Sequence, residues 1–466
     1  WNCVSVAILA QVLLDGRHDA CTMADDVDKQ VLRRYDVVQK LGRGAYGIVW
    51  KCIDRETKQA VAVKKIFDAF ETAADAQRTY REIVLLRSLY SYIHVVRLLS
   101  VMKALNDRDI YLVFDFLDFD LHYVIRRKAL QEAHQSFVLY QLLACLKYLH
   151  SAAIIHRDLK PSNVLVSRQC IIKLADFGLA RSFADAGARD LCDAVQDLPC
   201  RETLTDYVAT RWYRAPEIML GSSLYSQEVD LWSAGCIFGE MMVGKPVFPG
   251  SSTMNQLDMI LEVTGMPRLE DVDALQSPFA ATMLEAFPLS NTRPRPLSTI
   301  FAGVHANRLD LLQSLLRFNP VLRMSAVQAL EHRSLSDFHD PDLEIERGEP
   351  IILPVRDGTR YPVAAYRDRL YEDILERHKD PRGEDILAAR AADIARFQRQ
   401  IGSTLIPPLQ LESTQSVESC PTTRRASGRR QAAAELEADI RREIGPCSTM
   451  LCSCEVVQAC MSASRF

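Results

Sequence analysis

Four polar side chains that lie close together in the sequence have the types needed for chemistry on a nucleotide phosphate. Asp158, Lys160 and Asn163 stand in one short segment, and Asp176 follows after two apolar runs. Carboxylate and amide oxygens are hard ligands that suit Mg²⁺, which in turn suits nucleotide phosphates. An Asp that accepts a hydroxyl proton, with a Lys beside it and metal-holding Asn and Asp after it, forms a phosphoryl-transfer set. The alternative is a buried loop whose polar groups satisfy one another.

The two apolar runs predict a hairpin that brings this set together. Residues 164–166 and 171–174 are rich in β-branched side chains, and a polar turn at 167–169 separates them. A hairpin returns the chain to where it began, so it places Asp176 beside Asn163. We therefore expect the carboxylates and the amide to face one small volume, with the lysine at its edge.

A glycine-rich segment earlier in the chain is suited to covering phosphates. It follows a predicted strand over 35–40, and its glycines let backbone N–H groups approach phosphate oxygens without an intervening Cβ. A dinucleotide-binding fold uses the same spacing, but there a helix opens after the third glycine. Here residues 48–53 continue as a strand, which favours a phosphate-covering hairpin. The predicted nucleotide-contacting residues are Leu41, Gly42, Arg43, Gly44, Ala45, Tyr46, Gly47, Ile48 and Val49.

A lysine and a glutamate downstream are candidates for an ion pair at the phosphates. Lys64 ends a predicted strand over 61–64, and Glu82 lies in a segment over 76–89 with apolar residues at helical spacing. The ion pair would fix the lysine against the α- and β-phosphates. Taken alone, the lysine could be a solvated edge residue and the glutamate a solvated residue of a helix face.

Two further elements must position these residues. A strand over 110–114 leads into residues 115–118, where a connector between two lobes is expected. Backbone groups at Asp115 and Leu117 are candidates for binding adenine there. A strongly amphipathic helix is predicted over 136–150, and it leads into the segment that holds Asp158, Lys160 and Asn163.

The second half of the chain is predicted to be mostly helical. An apolar helix is expected over 230–242, and Arg323 is the predicted buried partner of Glu217. Residues 366–379 and 384–400 have the character of helices.

Composition excludes several classes of function. Hydrophobic residues make up 48% and charged residues 25% of 466 residues, as in ordinary globular chains. The net charge of −4 gives no electrostatic case for nucleic-acid or anionic-membrane binding. No run reaches the length of a membrane span. The 13 cysteines, an odd count without a secretion signal, indicate reduced thiols and an intracellular protein of the cytoplasm, the nucleus or both.

The first residues are expected to have no folding role. Residues 4–14 are mostly apolar but lack the basic flank of a signal peptide, and Met23 has the context of a genuine start. Residues 1–22 are therefore interpreted as a non-structured extension, with a short membrane-associating helix as the alternative.

The motifs, in this order, resemble the signature of eukaryotic protein kinases. The resemblance covers residues 35–338 and implies an α+β, two-lobed fold with a small β-rich N-lobe and a larger helical C-lobe. It also implies ATP and Mg²⁺ as cofactors, with Asn163 and Asp176 as metal ligands. Residues 339–400 would then form an extension with a docking patch and helices, and 401–466 a disordered tail. The catalytic residues it implies are Asp158, Lys160, Lys64 and Glu82.

Residues 205–214 resemble the activation lip of MAP kinases, which are phosphorylated on a Thr and a Tyr one residue apart. Here these are Thr205 and Tyr207. The family's proline pocket corresponds to residues 208–214, so the resemblance implies protein substrates with Ser-Pro or Thr-Pro sites. The arginines expected to receive phosphate are Arg81, Arg157 and Arg181 for the threonine, and Arg211 and Arg214 for the tyrosine.

Three segments, 64–70, 75–79 and 106–111, look like the atypical MAP kinases of the extracellular signal-regulated kinase seven/eight branch. That branch is known for self-activation, which implies that the chain phosphorylates its own lip. Residues 184–203 are longer and more acidic than in the best-known MAP kinases and are expected to be mobile.

Acidic residues after the predicted kinase region form a possible docking patch. Asp340 and Asp342 resemble the patch of MAP kinases that binds basic partner peptides. A solvated pair of acids is the alternative.

Two other functions compete with this interpretation. A pseudokinase or scaffold acting through its tail would be marked by loss of Lys64, Asp158 or Asp176, and all three are present. A cyclin-dependent kinase would need a partner subunit. Tyr207 and the helix sequence over 78–83, which lacks the cyclin-binding pattern, argue against it.

Overall fold

The computed structural model describes residues 26–44, 47–183, 211–222, 226–287, 295–355, 361–377, 395, 397 and 406–411. All of these belong to one of the two compact units into which the chain divides, Trp1–Leu411. Several predictions lie outside the described residues: those for residues 1–22, for 184–203, for most of 384–400, and for Ala45, Tyr46, Thr205 and Tyr207.

A five-stranded antiparallel sheet forms the smaller lobe, in the order β1-β2-β3-β5-β4. Along β2, Ile48, Trp50 and Cys52 are buried on one face, because successive side chains of a strand alternate between faces. Helix α1 adds Val31 to that core. The elements are α1 (Lys29–Arg34), β1 (Tyr35–Gly44), β2 (Gly47–Asp54), β3 (Ala60–Ile66), α2 (Ala73–Ser88), β4 (Leu98–Lys103) and β5 (Ile110–Asp115).

Helix α2 packs into the core on the other side of the sheet. Its Ile83 and Leu86 share one apolar cluster with Leu112 of β5. The helix begins at a definite point because the Thr72 hydroxyl accepts a hydrogen bond from the Asp75 N–H at 3.1 Å. That start fixes which side chains of α2 face the sheet.

The larger lobe is helical. Helices α4 and α6 run through its interior, and most residues of both are buried. Gly244, with φ of +75°, ends α6 in the left-handed conformation that glycine adopts without strain. The helices are α3 (Leu121–Arg126), α4 (Glu132–Ser151), α5 (Pro216–Met219), α6 (Glu228–Val243), α7 (Thr253–Thr264), α8 (Leu269–Asp273), α9 (Ala280–Glu285), α10 (Leu297–Ile300), α11 (Ala306–Leu315), α12 (Ala326–Leu330) and α13 (Val363–Arg377).

Short strands form two further small sheets. Strands β6 (Phe119–Asp120), β8 (Val164–Val166) and β9 (Ile172–Leu174) form a three-stranded sheet, while β7 (Ile154–Ile155) pairs with β10 (Arg181–Ser182). Leu174 of β9 also accepts a hydrogen bond from the Val96 N–H at 2.9 Å. The predicted hairpin therefore lies at the junction between the lobes.

The predicted α+β, two-lobed architecture is confirmed, with small changes in the ends of elements. The strand that carries Lys64 continues to Ile66, and the helix predicted over 366–379 is α13. The expectation of a disordered tail over 401–466 is wrong at residues 406–411, because Ile406 and Leu409 are buried against the helical lobe. The burial was missed because only a few aliphatic residues stand in an otherwise polar, proline-containing stretch.

Candidate active site

The β8–β9 hairpin closes the predicted catalytic set. Val164 pairs with Leu174, and beyond that pair the Ala175 N–H donates to the Asn163 carbonyl at 2.9 Å. Asp176 therefore follows immediately after a residue bonded to the backbone of Asn163. This is the placement that the sequence predicted.

Asp158 has two carboxylate oxygens in different surroundings. Its Oδ2 accepts hydrogen bonds from Lys160 Nζ at 2.8 Å and from Asn163 Nδ2 at 3.1 Å. Its Oδ1 is buried and has no hydrogen-bond partner within the described part of the chain. A buried carboxylate oxygen without a donor is costly, so it is suited to a hydroxyl that arrives with a substrate.

The backbone around Asp158 is held by a residue that the sequence analysis did not assign to the site. Asp230, fully buried in α6, accepts hydrogen bonds from the backbone N–H groups of His156 at 2.8 Å and Arg157 at 2.9 Å. Arg157 has a strained φ of +68°, and these bonds hold it there. Burial alone would raise the pKa of Asp230, but hydrogen bonding and charge from His150, with further contributions from His156, keep it below its usual value. A carboxylate at the start of an apolar helix was the available signal.

Lys64 and Glu82 form the predicted ion pair, with Nζ and Oε1 2.8 Å apart. Burial would lower the pKa of Lys64, but the charges of Glu82 and Asp176 raise it above its usual value. The lysine therefore stays protonated between two carboxylates at the junction of the lobes.

Asp176 has the charge state of a metal ligand. Burial would raise its pKa, but the charges of Lys64, Arg78 and Lys160 hold it well below the usual range. Among the described residues, no group of three His, Cys, Asp or Glu residues could hold a metal. A set of one carboxylate and one amide oxygen still fits Mg²⁺, which takes its other ligands from phosphates and water.

Asn163 is oriented to supply that amide oxygen. Its Nδ2 donates to the Asp158 carbonyl at 2.8 Å and to Oδ2 of the same residue at 3.1 Å. Both amide hydrogens are then engaged, so the side-chain oxygen remains as an acceptor.

The glycine segment forms the tip of the β1–β2 hairpin, with Gly44 paired to Gly47. A Cβ on Gly47 would lie 2.0 Å from the Lys65 carbonyl oxygen, so no other residue fits there without a shift of β3. Before the tip, Leu41, Gly42 and Arg43 belong to β1.

Ile48 is the exception among the predicted nucleotide-contacting residues. Val49 is the cross-strand partner of Lys64, so the two side chains share one face of the sheet. Ile48 is the partner of Lys65 and is fully buried in the core on the other face of the sheet, together with Trp50. Its side chain is therefore turned away from the lysine, because adjacent residues of a strand point to opposite faces.

The connector is fixed by charge. Asp115 pairs with Arg97 at 2.7 Å and with Lys173 Nζ at 2.6 Å. Burial would raise the pKa of Asp115, but these two cations lower it. Its carboxylate is thus engaged with the two lobes, which leaves the backbone from Asp115 to the half-buried Leu117 as the part that could meet a nucleotide base.

Three of the five predicted phosphate-receiving arginines come together. Arg81 donates to the Gly178 carbonyl at 3.0 Å, Arg157 to Leu179 at 3.4 Å, and Arg181 to Ala180 at 2.9 Å. Their guanidinium groups therefore converge on the backbone just after Asp176.

The other two predicted arginines, Arg211 and Arg214, are joined through the backbone. Arg211 donates to the Ser251 carbonyl at 3.2 Å, and the Arg214 N–H donates to the Arg211 carbonyl at 3.1 Å.

Two further predictions concern acidic residues: the docking patch and the buried partner of Arg323. Asp342 is exposed, and its N–H donates to Asp340 Oδ1 at 3.0 Å. Glu217 and Arg323 form the predicted buried pair through two hydrogen bonds of 2.7 and 3.0 Å.

Comparison with known proteins agrees with this geometry. Residues 35–335 match the family model described as protein kinase domain, close to the predicted 35–338. "Extracellular signal-regulated kinase 2" of Dictyostelium discoideum is 53% identical over 359 residues, which cover 77% of this chain and 95% of that relative. "Mitogen-activated protein kinase 15" of Rattus norvegicus is 45% identical over 414 residues, 87% of this chain and 73% of the relative.

A third relative points to the same group. "Extracellular signal-regulated kinase 7" of Drosophila melanogaster is 43% identical over 351 residues, 75% of this chain and 37% of the relative.

The helices that the structure describes include none with the length and apolar character needed to cross a membrane.

Proposed function

The chain belongs to the protein kinase family, and its MAP kinase relatives make it a serine/threonine protein kinase similar to the extracellular signal-regulated kinase seven/eight branch. We propose the following substrate preference and activation for it. It transfers the γ-phosphoryl group of ATP to Ser or Thr residues that precede Pro. Phosphorylation of Thr205 and Tyr207 raises its activity.

The observation that supports the transfer step is the unpaired Oδ1 of Asp158. In the proposed step the acceptor hydroxyl donates to this oxygen, which orients it and then takes its proton. Lys160 and Asn163 hold the other oxygen, so the carboxylate does not rotate when substrate arrives. Lys160 also supplies positive charge near the transferred group.

The remaining polar residues are proposed to hold ATP·Mg²⁺. Asn163 and Asp176 would bind the metal, which supplies charge neutralisation at the phosphates when bound. Lys64, fixed by Glu82, would pair with the α- and β-phosphates, and the β1–β2 hairpin would cover them. Catalysis then depends on positioning and on preorganised charge.

Selection for proline is proposed to lie in the loop over 208–214, of which residues 211–214 are described. Trp212 Nε1 donates to the Gly250 carbonyl at 3.0 Å, and the buried Tyr213 donates its hydroxyl to Glu240 at 2.5 Å. These bonds tie the loop to the helical lobe. A loop held in this way can present a fixed surface to the residue after the phosphorylated one.

Activation is proposed to act through the three converging arginines. Arg81 adjoins Glu82 on α2, so a phosphate that binds Arg81 also bears on the Lys64–Glu82 pair. A phosphate carries a charge of about −1.5 to −2 and accepts several charge-assisted hydrogen bonds. It would compete for guanidinium groups now bonded to backbone carbonyls.

The chain after residue 338 is proposed to serve partner recognition. Asp340 and the exposed Asp342 would attract basic peptides, although interactions between exposed charges are weak in salt. This part of the proposal is independent of the transfer step.

The test uses the full chain with Mg²⁺, ATP and paired peptides that differ only in having Pro or Ala after the acceptor Ser. One specific pocket is worth about 10- to 200-fold, so kcat/KM is expected to be at least tenfold higher for the Ser-Pro peptide. Asp158→Asn is the control and should transfer no phosphate. Equal rates on both peptides would reject proline selection, whereas no transfer by the wild type would reject the catalytic proposal.

A further inference from the structure

Residues 406–411, here called the strap, bind the helical lobe although they lie far from it in sequence. Ile406 and Leu409 are buried, at 8% and 4% exposure, whereas Pro407, Pro408 and Gln410 are exposed. Two aliphatic side chains therefore anchor the segment, and the residues between them face away from the lobe.

The spacing of the anchors suits an extended conformation. Two consecutive prolines favour the polyproline II helix, which has three residues per turn. Residues three apart then project to the same side, as Ile406 and Leu409 do. Because proline restricts the free chain, less conformational entropy is lost when such a segment binds.

Every polar contact found between the strap and the lobe, among the described residues, involves the strap's backbone. The Leu409 N–H donates to the Arg168 carbonyl at 2.8 Å, and the Arg168 guanidinium donates to the Leu411 carbonyl at 3.3 Å. His134 Nε2 lies 2.8 Å from the Pro407 carbonyl. A surface that recognises backbone groups plus two aliphatic positions is suited to any peptide with this pattern.

Arg168, at one end of this surface, also contacts residues at the end of the connector between the lobes. Arg168 forms an ion pair with Asp118 at 3.3 Å and lies over the Phe119 ring at 5.7 Å. A second anchor from the same part of the tail, Phe397, packs against His94 at 5.1 Å and Phe137 at 6.0 Å between ring centroids.

We propose that the strap is a cis-acting blocker of a peptide-binding surface that lies between His134 and Arg168. The partner that competes for this surface is a protein segment in which two aliphatic residues flank Pro-Pro and a third follows two positions later. A tethered segment has a high effective concentration, so a partner binds well only when the strap has left. The inference does not rest on the transfer reaction, because binding is measured without ATP.

The experiment measures binding of a fluorescein-labelled synthetic peptide with the sequence of residues 404–413 to the full chain, by fluorescence anisotropy. The released variant is Ile406→Asp combined with Leu409→Asp, since buried carboxylates without partners are disfavoured. Gln410→Asp is the matched control, because it places the same charge at an exposed position of the strap.

If the strap covers the surface more than nine-tenths of the time, the released variant should bind the peptide at least about tenfold more tightly than the wild type. The control should bind as the wild type does. Adding Arg168→Ala to the released variant should weaken binding again, since it removes the donor to the position of Leu411.

Equal affinity of the wild type and the released variant would overturn the blocking role, and no binding to either would overturn the surface. A wild-type dimer by light scattering that becomes a monomer on release would show a strap exchanged between copies, and would overturn the cis assignment. If the released variant does not fold, hydrogen exchange on the wild type decides. Excess unlabelled peptide should then speed exchange of the Leu409 amide, and an unchanged rate would reject displacement.

Discussion

Asp158 keeps one carboxylate oxygen bonded and the other unpartnered, and this asymmetry divides the work of the site. Lys160 and Asn163 fix Oδ2, so Oδ1 can accept a substrate hydroxyl without competition from the protein. Lys64 lies likewise between Glu82 and Asp176, whose charges keep it protonated despite burial. Neighbouring side chains thus orient Asp158 through hydrogen bonds and keep Lys64 charged through its two carboxylate neighbours.

The Lys64–Glu82 ion pair gives a prediction about catalysis. Lys64→Arg should lower kcat by about 10²- to 10³-fold, the usual effect of removing one preorganised charge contact. A planar guanidinium cannot occupy the position of a point ammonium held 2.8 Å from Glu82. Activity is measured on a Ser-Pro peptide, and folding by the thermal unfolding midpoint.

The matched control is Lys103→Arg, which makes the same chemical change at an exposed position of the same sheet. It should leave kcat unchanged. Near-normal activity of a well-folded Lys64→Arg variant would remove the lysine from the phosphate site.

A buried glutamate gives a prediction about pH. Burial raises the pKa of Glu240 to about 7, although its hydrogen bond from Tyr213 and the charge of Arg126 act in the opposite direction. The unfolded chain releases this proton near pH 4.5 and the folded chain only near pH 7. The stability that the neutral group contributes is therefore present below about pH 4.5 and lost as pH rises toward 7.

Glu240→Gln cannot ionise, so its stability relative to the wild type should increase from pH 4.5 to 7 and then level off. Urea unfolding at several pH values measures this difference. Glu285→Gln, at an exposed position of α9, should show no such trend. A constant difference between Glu240→Gln and the wild type would show that Glu240 titrates normally in the folded protein.

The polar residues of the site were predictable because their types and order carry the chemistry. The role of Asp230 was not, since it depends on two hydrogen bonds across the fold. The burial of Ile48 was missed for a local reason: a motif names consecutive residues, whereas a strand sends them to opposite faces.

Helix α2 connects activation to the nucleotide site because it carries Arg81 and Glu82 as neighbours. Helix α13 packs against it, with Tyr80 and Tyr366 5.8 Å apart between ring centroids. Tyr371 of α13 also lies 5.9 Å from Phe70, in the turn that precedes α2. The spacing of apolar residues predicted both helices. Their mutual packing is a contact between distant segments, and periodicity in one segment carries no information about it.

The attachment of α5 to the rest of the helical lobe gives a prediction about stability. Arg323 and Glu217 are 0% and 1% exposed in their side chains, and Arg323 also donates to the Glu228 carbonyl of α6 at 2.6 Å. Arg323→Ala should lower the free energy of unfolding by about 3–5 kcal/mol, because it leaves a buried carboxylate unpaired. Urea denaturation measures the loss.

Arg333→Ala provides the comparison, since its ion pair with Asp310 is 64% and 49% exposed. It should cost no more than about 1 kcal/mol. Arg323→Lys, which keeps the charge but not the two-pronged geometry, should fall between the two. Similar losses for Arg323→Ala and Arg333→Ala would contradict the structural importance of the buried pair.

Charged side chains and a backbone hydrogen bond join the two lobes. Asp115 joins Arg97 of the smaller lobe to Lys173 of the β8–β9 hairpin, and Leu174 accepts the Val96 N–H. The order of motifs predicted this architecture, since kinase-like sequences specify which segment belongs to which lobe. It did not predict the strap, because six residues in a polar tail are too few for a periodic pattern.

Activation of the whole molecule gives the last prediction, which is that the chain phosphorylates its own lip. Thr205 and Tyr207 lie outside the described residues, but Arg81, Arg157 and Arg181 converge on the carbonyls of residues 178–180. Phosphates there would add negative charge for these guanidinium groups to bind, and Arg81 would carry the effect to Glu82.

The test is expression in bacteria, which should lack the dedicated upstream kinase, followed by mass spectrometry of the lip. The wild type should carry phosphate on Thr205 and Tyr207, whereas Asp158→Asn should carry none, because Asp158 is the proposed base. An unmodified and inactive wild-type lip would reject self-activation and leave the kinase assignment intact. Phosphate on the Asp158→Asn lip would instead identify a host kinase as its source. Mixing an active wild type with Asp158→Asn then separates the two routes, since phosphate appearing on the variant requires transfer between molecules.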